Sequence, residues 1–503
     1  MKTTRRPKIF SLVICICWLA GVLMAQTGNW PGFRGLHGDG VAEAEKSPVN
    51  FGASSNVLWK TESLRGHSSP VIWQDRIFLT GTQDNKLVTL CMDRLSGKKI
   101  WEQSLPVEKL EAVHAANSPA TPTPVTDGKA VYVYFGSFGL LAYDFEGKEL
   151  WRKPLPVPQT FAKQGTGTSP VLADGKLLVF LQLGNDSQLL AVGVADGHEI
   201  WKAPMPDYNM TYATPVVWKE NEKSFAGVVC ARRFSAFQLA DGREAWWVND
   251  IGWQACSTPV VAGDRLVIST AGVQGEAANI TPPPTFEEII AKYDRDGDGL
   301  ITDDEISADL LYTDRHASQG QGNMPLKQAL RLFGGIKKDA KLNREQWNEV
   351  RDRLIGFGSG ELNRAVVLAV RTGGKKDVTD SQVIWKEIKS VPEVPSPLVW
   401  DGRIYLIRSG GILACRELAT GRLIYENRID SPGGYFASPV VAAGRIYLAS
   451  DRGTVTVVKA GDAFEVLARN ELGDPIIASP VIVANTLYVR STKQLWAFAE
   501  KGN

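Results

Sequence analysis

The sequence predicts an all-β fold: an eight-bladed β-propeller of four-stranded blades, its ring closed by an N-terminal strand, with an inserted α-helical EF-hand subdomain. Three observations carry this expectation. A Ser/Thr-Pro-Val/Leu tripeptide opens each of eight repeats along the 503 residues. The two ends of the chain carry complementary deficits, a lone strand at the start and a missing strand at the finish. The strand pattern breaks once, between about Val273 and Asn363, and an acidic loop stands in the break.

The repeats begin at Ser69-Pro70-Val71, Thr123-Pro124-Val125, Ser169-Pro170-Val171, Thr214-Pro215-Val216, Thr258-Pro259-Val260, Ser396-Pro397-Leu398, Ser438-Pro439-Val440 and Ser479-Pro480-Val481. Each start leads a short apolar strand, a turn such as Asp174-Gly175-Lys176, and further strands. The ordinary spacing of about 40–55 residues is that of propeller blades. The blade ends repeat as well, in Ser96-Gly97-Lys98-Lys99-Ile100-Trp101, Glu146-Gly147-Lys148-Glu149-Leu150-Trp151, Asp196-Gly197-His198-Glu199-Ile200-Trp201 and Asp241-Gly242-Arg243-Glu244-Ala245-Trp246. The glycine supplies a positive φ between the third and fourth strands. The tryptophan is expected to fill the gap between neighbouring blades. Thr420 to Tyr425 is a weakened copy, and the seventh repeat ends without the aromatic, at Phe464-Glu465-Val466-Leu467.

The last repeat stops after its third strand, near Leu495-Trp496-Ala497-Phe498. Val57-Leu58-Trp59-Lys60 stands alone before the first blade. Pairing the two closes the ring and removes a free sheet edge.

Blade five begins at Thr258–Thr270, resumes at Ala365, and ends with Val383-Ile384-Trp385. Between them, Asp294 to Glu305 reads as a complete twelve-residue EF-hand loop. Asp294, Asp296 and Asp298 place carboxylates at positions one, three and five. Gly299 permits the turn at six, Leu300 offers its carbonyl at seven, Thr302 acts through water at nine, and Glu305 is bidentate at twelve. A hard divalent cation wanting about seven oxygens finds them here. The segment Phe286 to Tyr293 is the helix entering the loop. A second half-site around Lys341 and Leu342 aligns with the first, with Leu342 opposite Ile301. Gly335, Lys337 and Gln346 stand at its positions one, three and twelve, so it lacks the charge to hold calcium. One calcium ion is expected, bound in the first loop.

The remaining features bound the function. Lys and Arg number 56 against 55 Asp and Glu, which leaves no electrostatic footprint for nucleic acid. Lys2, Arg5, Arg6 and Lys8 precede an apolar run to Ala25, the pattern of a cleaved export signal, with an uncleaved membrane anchor as the alternative. The expected domains are 1–25 signal peptide, 26–272 first part of the propeller, 273–363 inserted EF-hand pair, and 364–503 the rest of the propeller. After signal cleavage no membrane span is expected, and the location is periplasmic or secreted. Cys91, Cys230, Cys256 and Cys415 are scattered singly and read as small core residues, with disulfides left open. His67, His114, His198 and His316 show no metal-binding spacing. The loops before the first strands gather at one mouth of the channel, bringing His114, Asn117, Tyr212, Trp253 and Gln254 there as a default pocket. Arg34 is expected in a surface ion pair, with reach into the channel as the alternative.

The blades resemble the pyrroloquinoline-quinone-type repeats shared by quinoprotein alcohol dehydrogenases and the assembly lipoprotein BamB. The opening Trp30-Pro31-Gly32-Phe33-Arg34-Gly35, and Asn117-Ser118-Pro119 leading to Tyr132 to Ser137, are similar to a bacterial group of exported propellers. The resemblance implies a fold rather than an activity. Quinoprotein dehydrogenases carry adjacent cysteines over the cofactor, and no two cysteines here are adjacent. Pyrroloquinoline quinone is therefore not expected to bind. The functional expectation is an exported calcium-binding propeller, monomeric, acting as a protein-binding or assembly scaffold with protein or glycan at the propeller face. A quinone-dependent oxidoreductase is the alternative.

Overall fold

The structure, a computed structural model, describes residues 28–160, 163–205, 210–272, 282–302, 304–307, 309–313, 324–332, 340–358 and 365–500. The expected export signal and the second-loop positions Gly335 and Lys337 lie outside the described residues.

Eight antiparallel sheets form the ring, each running outward from its Ser/Thr-Pro start. They span 71–106, 125–154, 171–204, 216–249, 260–387, 398–428, 440–471, and 481–498 joined by 57–62. The middle strands are apolar on both faces because each sheet is covered by its two neighbours; every residue of Ala130–Phe135 is buried. The outer strands alternate, as Val57–Glu62 does.

The Gly and Trp of the blade ends form one contact between blades. Trp59, Trp101, Trp151, Trp201 and Trp385 each donate their indole N–H to a main-chain carbonyl of the next blade's outer turn, Arg94, Phe145, Val194, Leu239 and Leu418, at 2.8–3.0 Å. Each ring lies flat against that turn's glycine. A Cβ on Gly97, Gly147, Gly197, Gly242 or Gly421 would come within 2.4–2.8 Å of the indole, and all five have φ between 67° and 87°. Backbone handedness and side-chain packing therefore both require glycine.

Trp246 departs from this series. The glycines of the corresponding segment of blade five, Gly373 and Gly374, lie against Glu220 and Val378 rather than the indole; residues 372–382 form a strap. Lys376–Asp377 pairs in parallel with Trp246–Trp247 and adds a fifth strand to blade four. Val378 donates to the Trp247 carbonyl and Asn249 to Asp377. Trp246 is fully enclosed.

The ring closes as the end deficits predict. Val57–Glu62 pairs antiparallel with Gln494–Phe498, with Lys60 opposite Trp496 and Thr61 opposite Leu495. A second closure lies at the inner ends of the blades. The Ser or Thr of each start accepts a hydrogen bond from the main-chain N–H of the same position in the preceding blade: Ser69 to Thr123, Thr123 to Ser169, Ser169 to Thr214, Thr214 to Thr258. The series continues from Thr258 to Ser396, Ser396 to Ser438, Ser438 to Ser479, and Ser479 back to Ser69. All eight bonds measure 2.9–3.2 Å. The proline that follows each hydroxyl has no N–H to satisfy.

The N-terminal segment crosses the channel. Trp30 bridges to Ile72 of blade one, and the Pro31 carbonyl accepts from Thr126 of blade two. Arg34 reaches the Pro397 carbonyl of blade six, 2.7 Å away, and Val41–Ala42 pairs in parallel with blade seven. Blades two and six face each other across an eight-membered ring, so residues 31–34 form a bar over the axis. This corrects the expectation of a surface ion pair for Arg34. The side chain is 1% exposed, and its partners are the carbonyls of Gly38, Asp39 and Pro397.

The insertion lies between the second and third strands of blade five. It contains α1 (Phe286–Tyr293), α2 (Leu326–Leu332) and α3 (Arg344–Gly358). A reciprocal capping box of Thr285 and Glu288 starts α1. Phe286, Ile289, Tyr312, Trp347 and Leu354 form a small core separate from that of the blades.

Candidate functional site

Two places concentrate chemistry. The first is the loop after α1. Gly297 and Gly299 take φ of 71° and 74°, which folds the chain back on Asp294. The Asp294 carboxylate accepts the N–H groups of both glycines, at 2.8 and 3.0 Å. Asp298 N–H is held by Asp296, and Leu300 N–H by Asp298. Glu305, nearly buried, closes the loop by accepting from Arg295 N–H, Thr302 N–H and the Thr302 hydroxyl at 2.7–3.0 Å. Oxygens of Asp294, Asp296 and Glu305 lie within 4.8 Å of one another. These three positions come together as the spacing predicts. Ile301 pairs with Leu342 in a two-residue antiparallel ladder, as the alignment of the half-sites implies. In the second half, Gln346 and Asn343 cap α3 reciprocally.

Asp298 is the exception. Its free oxygen accepts from the Lys341 ammonium, which also stands 3.9 Å from Asp296. That contact lowers the Asp298 pKa, with the Leu300 N–H assisting. The lysine enters from the paired strand, 43 residues away in sequence, and nothing in the loop's own spacing announces it.

The second place is the channel mouth. The bar of residues 31–34 divides the channel, and Phe33 lines the cavity on both sides. On the mouth side a funnel of about 350 Å³ remains. His114, Asn117, Tyr212 and Gln254 all line it; Trp253 does not. His114 accepts from Ala116 N–H at Nδ1, so the neutral ring carries its proton on Nε2. The Asn117 amide is consumed by Ser118, Thr121, Gln164 and Thr166 and clasps the loops of blades one and two together. Glu111 lies in the wall beneath, accepting from Thr166 N–H and Oγ1. Burial raises its pKa to about 7, against the pull of those bonds.

Two groups that the sequence reading did not place at the mouth define its floor. Six of the eight ring hydroxyls line the funnel, and so does His67. Burial, and then the charge of Arg490, lower the His67 pKa to about 4, so it is neutral. Neither Asp nor Glu is among the lining residues, nor is Lys or Arg. Cys256 also lines the funnel, but burial pushes its thiol up to about 12. Cys91, Cys230 and Cys415 are likewise free, and buried in the blades. Among the described residues no helix is long and apolar enough to cross a membrane.

The family described as outer membrane protein assembly factor BamB matches residues 49–282. That match and the eight blades support reading the repeats as the pyrroloquinoline-quinone type. No curated protein matches the chain. Among solved structures it is similar to BamB from Moraxella catarrhalis, at 11% identity over 88% of this chain and 99% of that one, with a TM-score of 0.52. It is also similar to a europium-containing methanol dehydrogenase, at 11% identity over 96% of this chain and 100% of the other, with a TM-score of 0.54. A quinohemoprotein alcohol dehydrogenase from Pseudomonas putida gives 12% identity, 96% and 82% coverage, and a TM-score of 0.55. At such identities the likeness is one of fold.

Proposed function

We propose that this chain is an exported, calcium-binding propeller that serves as a protein-binding or assembly scaffold. The observation that carries the calcium reading is the convergence of Asp294, Asp296 and Glu305 oxygens within 4.8 Å, in a loop whose N–H groups already hold the carboxylates in place. Asp294, Asp296, Asp298, the Leu300 carbonyl, Thr302 through water and Glu305 would hold the ion in the manner of an EF-hand. The ion would supply positive charge to a loop otherwise held by one lysine. Both ends of the insertion continue into adjacent paired strands of blade five, so calcium stabilises the insertion rather than reshaping the blades. Such sites in exported modules bind at about 10⁻⁴–10⁻³ M.

The scaffold reading draws on the BamB match over 49–282 and on a ring that offers loops around one mouth. The alternative, a quinone-dependent oxidoreductase, draws on the fold shared with the dehydrogenases. The funnel residues do not fit a quinone held beside a metal ion: no carboxylate lines it, and Cys256 is the one cysteine in its lining.

Calorimetric titration of the mature protein with calcium and separately with pyrroloquinoline quinone decides between these readings. One calcium per chain without quinone binding is the expected result. Asp294→Ala combined with Glu305→Ala should abolish calcium binding and leave the β circular-dichroism signal unchanged. Tight quinone binding would reverse the preference.

A further inference from the structure

The floor of the funnel carries an arrangement that neither the calcium loop nor the scaffold reading uses. Each ring hydroxyl accepts one N–H from the preceding blade, which fixes its oxygen and leaves its own O–H. Among the described residues none of the eight donates that proton to a protein group. A hydroxyl offers one donor, so a circle of donors not taken up by protein groups stands at the inner ends of the blades, six of them on the funnel.

Two guanidinium groups stand behind the circle. Arg490 is fully buried and gives its N–H groups to Ser63, Leu64 and Ser68, the last one residue from ring member Ser69. Arg34 gives its own to the Pro397 carbonyl, one residue from ring member Ser396, and its Nη1 has no acceptor. Among the described residues no carboxylate lies within ion-pair distance of either; Asp39 bonds Arg34 through its main-chain carbonyl. Burial lowers the pKa of Arg34 to about 10, partly offset by Asp39, and that of Arg490 to about 9. Both therefore remain cations at neutral pH. Buried charge without a counter-ion is strongly unfavourable, and the funnel lining supplies none. Hydroxyl donors with no protein acceptor, and two buried cations with no carboxylate in ion-pair contact, favour the same kind of ligand.

We infer that the floor of the funnel binds a compact oxyanion of the carboxylate, sulfate or phosphate class, received by the Ser/Thr hydroxyls and drawn by the field of Arg34 and Arg490. This rests on the mouth being a binding face and is independent of the calcium loop. Neutral donors receive oxyanions well when a preorganised positive field surrounds them. The same field disfavours a metal cation there.

The test uses the full mature chain at low ionic strength. Sodium sulfate is titrated calorimetrically, then phosphate and acetate to separate the classes, and crystals are soaked in selenate. The expected result is one anion per chain and a selenium anomalous peak within hydrogen-bonding distance of ring hydroxyls. Arg490→Met should weaken binding at least tenfold. Because that variant removes several structural bonds, Ser438→Ala, which keeps both cations, is measured beside it and should weaken binding severalfold. Absence of saturable heat together with no selenium at the floor overturns the inference. Equal affinity in both variants overturns it as well. Calcium titrated into the same samples reports on the loop separately, so either site can fail alone.

Discussion

Lys341 is the counter-charge of the acidic loop, and any ion entering must displace it from Asp298 and Asp296. The lysine is half exposed, so its attraction is screened and modest. Lys341→Ala should tighten calcium binding about two- to fivefold by titration, with the stoichiometry unchanged. Glu111 is the opposite kind of residue, a carboxyl held by burial. Its folded pKa of about 7 lies above the ordinary 4.5. Between those values the folded chain binds more protons than the unfolded one, so its contribution to stability is best below pH 4.5 and falls as pH rises to 7. The ceiling of that loss is about 3 kcal/mol. Glu111→Gln should therefore melt above the wild type at pH 8 and converge with it at pH 5, as followed by thermal denaturation.

At the scale of elements, the Gly-Trp contact repeats five times and so invites a local test. Gly197 has φ of 71°, and an added Cβ would meet the Trp151 ring at 2.8 Å. Gly197→Ala should destabilise by about 2 kcal/mol or more, from the left-handed backbone and the displaced indole together. The measurement is the urea midpoint. This contact was legible because both partners recur at fixed spacing. The clustering of Asp294, Asp296 and Glu305 oxygens was legible for a similar reason, since local spacing dictates it. The strap at Lys376–Asp377 was not. It is a two-residue pairing on blade four made by a segment that belongs to blade five, and no periodicity can accumulate over two residues. Lys341 escaped likewise, because its target lies across a ladder of one residue pair on either side.

The whole ring was legible from its ends, since a missing strand and a surplus strand imply each other. What lay within the ring was not. The Ser/Thr-Pro starts could be counted, yet each hydroxyl bonds to the preceding copy, and the bond from Ser479 N–H to Ser69 exists only once the circle is closed. Arg34 meets Pro397 across 363 residues, and only the opposition of blades two and six brings them together. Closure can be tested at Trp59, which belongs to the closing strand and bonds Arg94 of blade one. Trp59→Ala, at a half-buried site, should destabilise by about 2–3 kcal/mol and, by loosening blade eight's edge, raise light scattering on heating.

That closing strand has a further consequence in time. Val57–Glu62 is made before any blade, and its partner Gln494–Phe498 comes after all of them. Throughout synthesis the early strand has nothing to pair with. Seven blades can stack in sequence behind it, but the circle of hydroxyls and the outer seam can only be completed together, at the last step. The molecule thus behaves like a clasped bracelet: the clasp is forged first, fastened last, and its fastening reports that the whole length has arrived.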